Sequence, residues 1–335
     1  MARRRAQGVV GVSMAQGLVG PAIAGVAPQA YVQHMLHGQD RDWPQTNCYV
    51  DLWIEMLHAM GHEPRAALAF TLAQDFEGDQ FTFFKFPLED LAALYGVETT
   101  ELAIYDSVEA HCAAQIARGR PVLVEVDGFF LPDTRGVSYQ LEHTKTTIGV
   151  NALSPDERRL DYFHNEGYFS LSGVDYDAVF GRANGPETLF PYVEFVKPGG
   201  PRPDDLRAAA RALWVRHFAR RPRANPIAAF GSRFAEHARA VGAREPAFFH
   251  KYAFNTLRQL GANFELCAAG LDWLDAPAFA DAATEARTIS SGAKVLQFQL
   301  ARATARKKYE ALEPAVAPLA AAWDRLMDAI AARLG

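Results

Sequence analysis

Apolar and polar residues follow two periods along the first two hundred positions, and each period predicts one type of element. Spacings of three and four predict helices over about 48–61, 87–95 and 107–118. A glycine follows each of these segments, where helix C-terminal caps are expected. In the first helix the predicted buried face consists of Val50, Trp53, Ile54, Leu57 and Met60.

Strand-like patterns occupy the region between these helices and residue 165. Residues 121–127 form an apolar run typical of a buried strand. Residues 146–153 and 159–163 read as two further strands, joined by a turn at 154–157 that contains Ser, Pro, Asp and Glu. Strands and helices therefore mix in this part of the chain.

A Pro/Gly cluster at 197–203 predicts a loop between two domains. After it the pattern is helical throughout, with abundant alanine and few β-branched residues. The predicted helices cover about 204–221, 225–241, 246–274, 277–308 and 314–333. We therefore predict an α+β fold class, with a mixed domain over 31–197 and an all-helical domain over 203–335.

The first thirty residues lack convincing globular patterning. Three arginines are followed by a weakly apolar Gly/Ala/Val run that Gln16 and Pro21 interrupt. This favours a disordered extension, or a start codon assigned too early, over a secretory signal.

Composition narrows the class of protein. Cysteines at 48, 112 and 267 are too few and too scattered for a disulfide framework or a zinc site, which favours the cytoplasm. No apolar stretch predicts a membrane span. No phosphate loop, dinucleotide fingerprint or defined metal-ligand set appears, so we expect no cofactor, no metal and no nucleic acid.

The formal net charge of −5 divides into an acidic first half and a basic second half. Six arginines mark the predicted helix after the loop and its end. They predict either a docking surface for an acidic carrier protein or an attraction between the two halves. The six are Arg207, Arg211, Arg216, Arg220, Arg221 and Arg223.

Cys48 stands at the start of the first predicted helix, directly after a polar Thr-Asn pair. The positive end of the helix dipole favours a thiolate there, which makes Cys48 a candidate nucleophile. The alternative is a small core residue. Cys112 and Cys267 lie in predicted helix interiors, and we expect both in the core.

A cysteine nucleophile needs a base and a group that orients the base. His143, 95 positions later and just before a predicted strand, is the candidate base. In papain-like folds the cysteine lies on a helix and the histidine on the opposing sheet, in that chain order. Asn165, at the end of the next strand, is the expected third member, with Asp161 and His164 as alternatives.

Three polar residues near these positions are candidates for support. The backbone N–H of Cys48, together with the side-chain amide of Gln45 or Asn47, would form an oxyanion hole. Helix capping is the alternative role for Asn47. Asp127 ends a predicted strand ahead of His143 and is expected either to support the site or to form a turn.

Long motifs carry a family resemblance. By these motifs the chain resembles the DUF1839 family from about Tyr31 to the C terminus. Four of them are Trp43-x-x-Thr-Asn-Cys-Tyr-Val-Asp-Leu-Trp, Gly78-Asp-Gln-Phe-Thr-Phe-Phe-Lys-Phe, His143-x-Lys-Thr-Thr-Ile and Lys294-x-Leu-Gln-Phe-x-Leu-Ala-Arg.

A more distant resemblance implies a function. Cys48 on its helix, the strand before Phe129-Phe-Leu-Pro132 and His143 before a further strand are similar to the butirosin-biosynthesis H-like acyltransferases. That resemblance implies a papain-like domain followed by a helical part. It also implies transfer of an acyl or aminoacyl group from an acyl carrier protein thioester to an amine. The phosphopantetheine arm would be part of the substrate.

Two alternatives to acyl transfer remain at this point. The same residues would serve a papain-like cysteine hydrolase, a peptidase or amidase, with water as the acceptor. A non-catalytic module that binds a carrier protein or a small molecule would retain the fold without the chemistry.

Overall fold

The computed structural model describes residues 18–181 and 190–334. In these residues six strands form one antiparallel sheet in the order β1-β6-β2-β3-β4-β5. The strands are β1 Glu98–Glu101, β2 Val122–Asp127, β3 Lys145–Ser154, β4 Arg159–His164, β5 Gly167–Ser172 and β6 Val193–Lys197.

Four helices accompany the sheet, and six follow the Pro/Gly loop. The first group is α1 Cys48–Ala59, α2 Leu88–Tyr95, α3 Val108–Ile116 and α4 Val174–Val179. The second group is α5 Leu206–Ala219, α6 Pro226–Gly242, α7 Pro246–Ala253, α8 Gln259–Asp275, α9 Ala280–Arg306 and α10 Leu312–Leu334. Within the described ranges no helix is both long and apolar enough to cross a membrane.

The periodicity of the chain predicts most of these elements correctly. Helices α1, α2 and α3 and strands β2, β3 and β4 lie within a few residues of their predicted bounds. The half that follows the loop is helical, as predicted. One predicted helix, 246–274, is divided by a π-helical turn at Phe254–Arg258. The fold class is therefore mixed α and β, with a helical C-terminal part.

The sheet separates two layers of apolar side chains. Leu123 of β2 packs on the side that α1 covers, whereas Val122, Val124 and Val126 belong to a separate core on the side of α3. Helix α1 crosses β3 and β4 closely. A Cβ atom on Gly149 would lie 2.8 Å from the sulfur of Met56, so a larger residue there would push α1 from the sheet.

The two halves share one hydrophobic core. The indole of Trp43 lies against Gly261 of α8, where a Cβ atom would come within 2.4 Å of the ring. Its Nε1 donates to the carbonyl of Ser290 on α9 at 3.3 Å. The loop that precedes Cys48 is thus held by the helical half.

Ion pairs also join the oppositely charged halves. The buried carboxylate of Asp90 on α2 forms an ion pair with Arg216 of α5 and a hydrogen bond with Nε2 of the neighbouring His217. Lys251 of α7 lies 3.3 Å from Glu142. The predicted attraction between the halves is therefore present.

The expected disordered extension does not hold for residues 18–30. Val19 pairs with Leu153 at the end of β3, and the N–H of Ile23 donates to the side chain of Asn151 at 2.7 Å. These polar backbone groups find partners in the sheet, which the weak apolar pattern did not reveal. Residues 1–17 lie outside the described residues.

A buried ionic cluster attaches the segment before α1 to the inner face of that helix. His37 lies between Asp51 and Glu55, with its Nε2 3.3 Å from Asp51 and its Nδ1 against Glu55. Burial alone would lower the pKa of His37, but hydrogen bonds to these two carboxylates outweigh it and raise the pKa to about 9. The ring is therefore an imidazolium at neutral pH.

This cluster predicts a pH-dependent stability. Because the folded pKa of His37 lies above its unfolded value, its contribution is complete below about pH 6.5 and disappears as the pH rises through about 9. His37→Gln should therefore lower the free energy of unfolding by about 3 kcal/mol more at pH 6 than at pH 9.5, measured by urea denaturation. His250→Gln, on an exposed residue, is the matched control. An equal deficit at both pH values would contradict the prediction.

Candidate active site

Cys48 is the first residue of α1, and its thiol is free and half-buried. Asn47 forms the N-cap because its Oδ1 accepts from the N–H of Val50 at 3.0 Å. The Nδ2 of Asn47 donates to the carbonyl of Phe84 at 3.1 Å. Both ends of this amide are thus engaged, which favours capping over the oxyanion role for Asn47.

Gln45 is the other predicted amide, and it precedes Cys48 in the same loop. Its Nε2 donates to Glu166 at 2.5 Å, and its backbone carbonyl accepts from Arg258. Its side chain is exposed. Asn47 and Gln45 are the two amides predicted for the oxyanion hole. Of these, Gln45 can turn toward a reacting group, because its side chain has to give up only the hydrogen bond to Glu166.

His143 pairs with Asp127 rather than with Asn165. Its Nδ1 lies 2.5 Å from Oδ2 of Asp127, and its ring stacks on Phe129 with centroids 4.4 Å apart. This leaves Nε2 as the ring nitrogen available for another partner. The His143 side chain is 71% exposed, so solvent and substrates reach it.

The Asp127 carboxylate is itself fixed by the backbone. Its Oδ1 accepts from the N–H groups of Phe129, at 3.0 Å, and Thr144, at 3.1 Å. Burial raises the pKa of Asp127, but hydrogen bonds from His143 and these two amides outweigh it and bring the pKa below its ordinary value. Asp127 thus forms the predicted turn through Phe129 and is also a charged, oriented partner for the imidazole, and its support of a site stays a prediction.

Strand alternation places this pair on the same face of the sheet as α1. Leu123 of β2 packs in the core beneath α1, and Asp127 lies four residues later, so both side chains point to one face. The residue paired with Asp127 in the register is Lys145, the first residue of β3. The pair therefore lies at the end of the sheet surface that α1 crosses.

The three residues proposed as the third member have other surroundings. Asn165 occupies the turn between β4 and β5 with a φ of 45°, a conformation that asparagine tolerates well. Asp161 is bound by Arg159 at 3.0 Å. His164 is buried on the opposite face, between Asp133, at 2.5 Å, and Thr146, at 2.8 Å. None of the three makes a hydrogen bond to His143 within the described residues.

No hydrogen bond joins the Cys48 thiol to a histidine ring in the part of the chain that the structure describes. The structure thus brings together His143 and Asp127 and leaves the sulfur separate from them. Contacts between catalytic groups in ligand-free enzymes are often long and shorten only with substrate bound.

A cavity of about 520 Å³ lies beside this region, at the junction of the two halves. We call it the junction cavity. The residues used below that line it are Trp43, Gln45, Glu166, Phe254, Arg258, Lys294 and Phe298. Sequence reasoning missed the cavity, although the motif that begins at Lys294 contains its lining residues Lys294 and Phe298.

The fold and the site define a class: a mixed α/β half with a cysteine at a helix start and a His–Asp pair at a sheet end, joined to a helical half. The chain belongs to the DUF1839 family. The DUF1839 N-terminal domain matches residues 32–198, and the DUF1839 C-terminal domain matches residues 203–332. The family resemblance seen in the motifs is confirmed. No curated protein matches the chain.

The pairing of His143 with Asp127 predicts a change in titration. His143→Ala should raise the pKa of Asp127, because the carboxylate loses the hydrogen bond from the imidazole. Carbon-13 NMR of the side-chain carboxyl groups measures this shift. Asn165→Ala is the control and should leave Asp127 unchanged. A shift in the control as large as in His143→Ala would return the orienting role to Asn165.

Proposed function

We propose that this protein is a cysteine-dependent acyltransferase. Cys48 takes an acyl or aminoacyl group from an acyl carrier protein thioester, whose phosphopantetheine arm is part of the substrate, and passes it to an amine. The amine belongs to a small molecule or a protein. The observation that supports this most is the oriented Asp127–His143 pair. It lies on the sheet face that α1 crosses, and α1 begins with Cys48.

The first half of the reaction breaks the thioester of the carrier. His143 Nε2 removes the proton of the Cys48 thiol, and Asp127 stabilises the imidazolium through Nδ1. The thiolate attacks the carbonyl carbon, and the oxyanion accepts hydrogen bonds from the backbone N–H of Cys48 and the amide of Gln45. Collapse forms a new thioester on Cys48, and the carrier thiol leaves with the proton from His143.

The second half of the reaction passes the group to the acceptor. His143 removes a proton as the amine attacks the acyl-enzyme, and Cys48 leaves as a thiol after protonation. In the first half of the reaction one thioester is exchanged for another, which is nearly balanced in free energy. The rate of that step therefore depends on how the reacting groups are positioned.

The charge of the helical half supports an acidic partner. Arg207 and Arg211 donate to backbone carbonyls rather than to carboxylates, so their charges remain available on the surface of α5. Such a surface attracts an acidic carrier protein in a salt-dependent manner. We place the reaction in the cytoplasm, which the scattered free cysteines favour.

A cysteine hydrolase, peptidase or amidase is the second candidate, favoured by one observation. The exposure of His143 gives water access to the acyl-enzyme, whereas transfer requires water to be excluded. A non-catalytic binding module is favoured by the missing hydrogen bond between Cys48 and a histidine. The experiment below distinguishes all three.

Incubation with acetyl- or aminoacyl-loaded carrier protein should add the mass of one acyl group to the protein, detected by intact-mass spectrometry. Cys48→Ala should reduce this labelling at least about 1,000-fold, because the nucleophile is lost. The matched control is Cys112→Ala, which removes a thiol fully buried in the second core and should label normally.

The outcomes separate the candidates. Label that persists until an amine is added supports transfer, and label that decays in buffer alone supports hydrolysis. Binding of the carrier without any added mass supports the non-catalytic module. Full labelling of Cys48→Ala would contradict the proposed nucleophile.

A further inference from the structure

The junction cavity presents two cations that the protein does not neutralise by direct contact. Arg258 and Lys294 line it, and neither makes an ion pair within 4.0 Å in the described part of the chain. Arg258 donates to the backbone carbonyl of Gln45, and Lys294 Nζ donates to the backbone carbonyl of Asp42 at 2.6 Å. Backbone carbonyls carry only partial charge, so neither cation is paired with a full negative charge at contact distance, although Asp42 and Glu166 also line the cavity.

Arg258 is the more deeply placed of the two cations. Its Nε is buried and has no hydrogen-bond partner. Burial lowers the pKa of the guanidinium, and the more distant charges of Asp51 and Glu166 oppose that effect only in part. Glu166 is already engaged by Gln45. A buried N–H donor on a cation is costly unless something pairs with it.

The helix that carries Arg258 is irregular at this position. Residues Phe254–Arg258 form a π-helical turn between α7 and α8. In such turns the regular α-helical hydrogen-bond pattern is interrupted, and they occur frequently at functional sites. This one presents both Phe254 and Arg258 to the cavity.

Aromatic side chains complete the cavity. Trp43 forms part of the wall, and the Nζ of Lys294 lies 4.3 Å from the centroid of its ring. Phe254 and Phe298 also line the cavity, and their surfaces are 42% and 69% exposed to solvent. Large exposed aromatics beside a concave surface are typical of ligand sites. The volume of about 520 Å³ lies in the range of small-molecule pockets.

We propose that the junction cavity binds a small organic anion, in which a carboxylate or phosphate pairs with Arg258 and Lys294 and an apolar or aromatic body contacts Trp43, Phe254 and Phe298. The guanidinium of Arg258 turns an N–H group to the anion, and the ammonium of Lys294 turns from the carbonyl of Asp42 to the ligand. Cys48 and His143 do not line the cavity, so anion binding requires neither the proposed nucleophile nor the proposed base, although Gln45 lies at both sites.

Isothermal titration calorimetry on the full chain tests the proposal with four probes that share a phenyl group. The probes are 3-phenylpropionate, phenyl phosphate, the neutral 3-phenylpropanamide and the cation phenethylamine. One or both anions should bind saturably with one site per chain. The amide and the amine should bind at least about tenfold more weakly, because a hydrogen bond between charged groups is lost. Equal affinity for amide and anions, or no saturable binding, would overturn the proposal.

Variants locate the site. Arg258→Gln and Lys294→Met should each weaken the tighter anion at least about tenfold. Arg302→Gln, on an exposed arginine of the same helix as Lys294, should change its affinity less than about twofold. Phe298→Ala removes an exposed ring that the fold does not need, and should weaken binding even if Arg258→Gln fails to fold. Unchanged affinity in Lys294→Met and Phe298→Ala would exclude this cavity.

Cys48→Ala separates this proposal from the proposed function. It should bind the anion as the unaltered protein does, although it loses acyl labelling. The comparison of 3-phenylpropionate with phenyl phosphate identifies which anionic group the cavity prefers.

Discussion

The fold around the candidate site depends on one buried carboxylate, that of Glu55. This side chain is fully buried on the inner face of α1. It accepts hydrogen bonds from the hydroxyl of Tyr31 at 2.5 Å and the N–H of His34 at 3.0 Å, and it contacts the imidazolium of His37. A buried charge without such partners would destabilise the protein by several kcal/mol, on the order of 3–5. The segment before α1 therefore has to follow the helix.

The contacts of Glu55 also fix the segment that leads to Cys48. The segment held by Glu55 continues to Trp43, which reaches the helical half, and then to Asn47, which caps the helix at Cys48. Cys48, the side chain of Gln45 and the Trp43 wall of the junction cavity thus lie on one short stretch of chain. At the end of β2, Asp127 contacts Nδ1 of His143, and the backbone N–H of Thr144 holds the Asp127 carboxylate in place.

The fold follows from the sequence where apolar residues recur at helical spacing or form a continuous run. Helix α1 has the first pattern and strand β2 has the second, and their bounds were predicted closely, although both elements are buried on more than one side. Strand β1, Glu98–Glu101, is polar and mostly exposed, so it shows no apolar alternation and was missed. The π-helical turn has the composition of ordinary helix and was read as one. Its irregularity comes from packing, which local propensity does not contain.

The candidate site was predictable in its residue types but not in its pairing. A helix-start cysteine and a strand-start histidine can be read from local pattern. The choice of Asp127 over Asn165 depends on which strand end lies beside the histidine, and that follows from strand order rather than from sequence distance. The junction cavity is lined by residues from three distant parts of the chain, among them Gln45, Glu166 and Arg258. No local sequence pattern can therefore predict it.

The central claim is that Nε2 of His143 removes the proton of the Cys48 thiol, which requires the two side chains to meet. The most direct test is cross-linking with 1,3-dibromoacetone, which bridges a reactive thiol to a neighbouring imidazole, followed by peptide mass spectrometry. The account predicts one product in which the peptide of Cys48 is joined to the peptide of His143. Attachment of Cys48 to a different histidine, or modification of Cys48 without any cross-link, would contradict it.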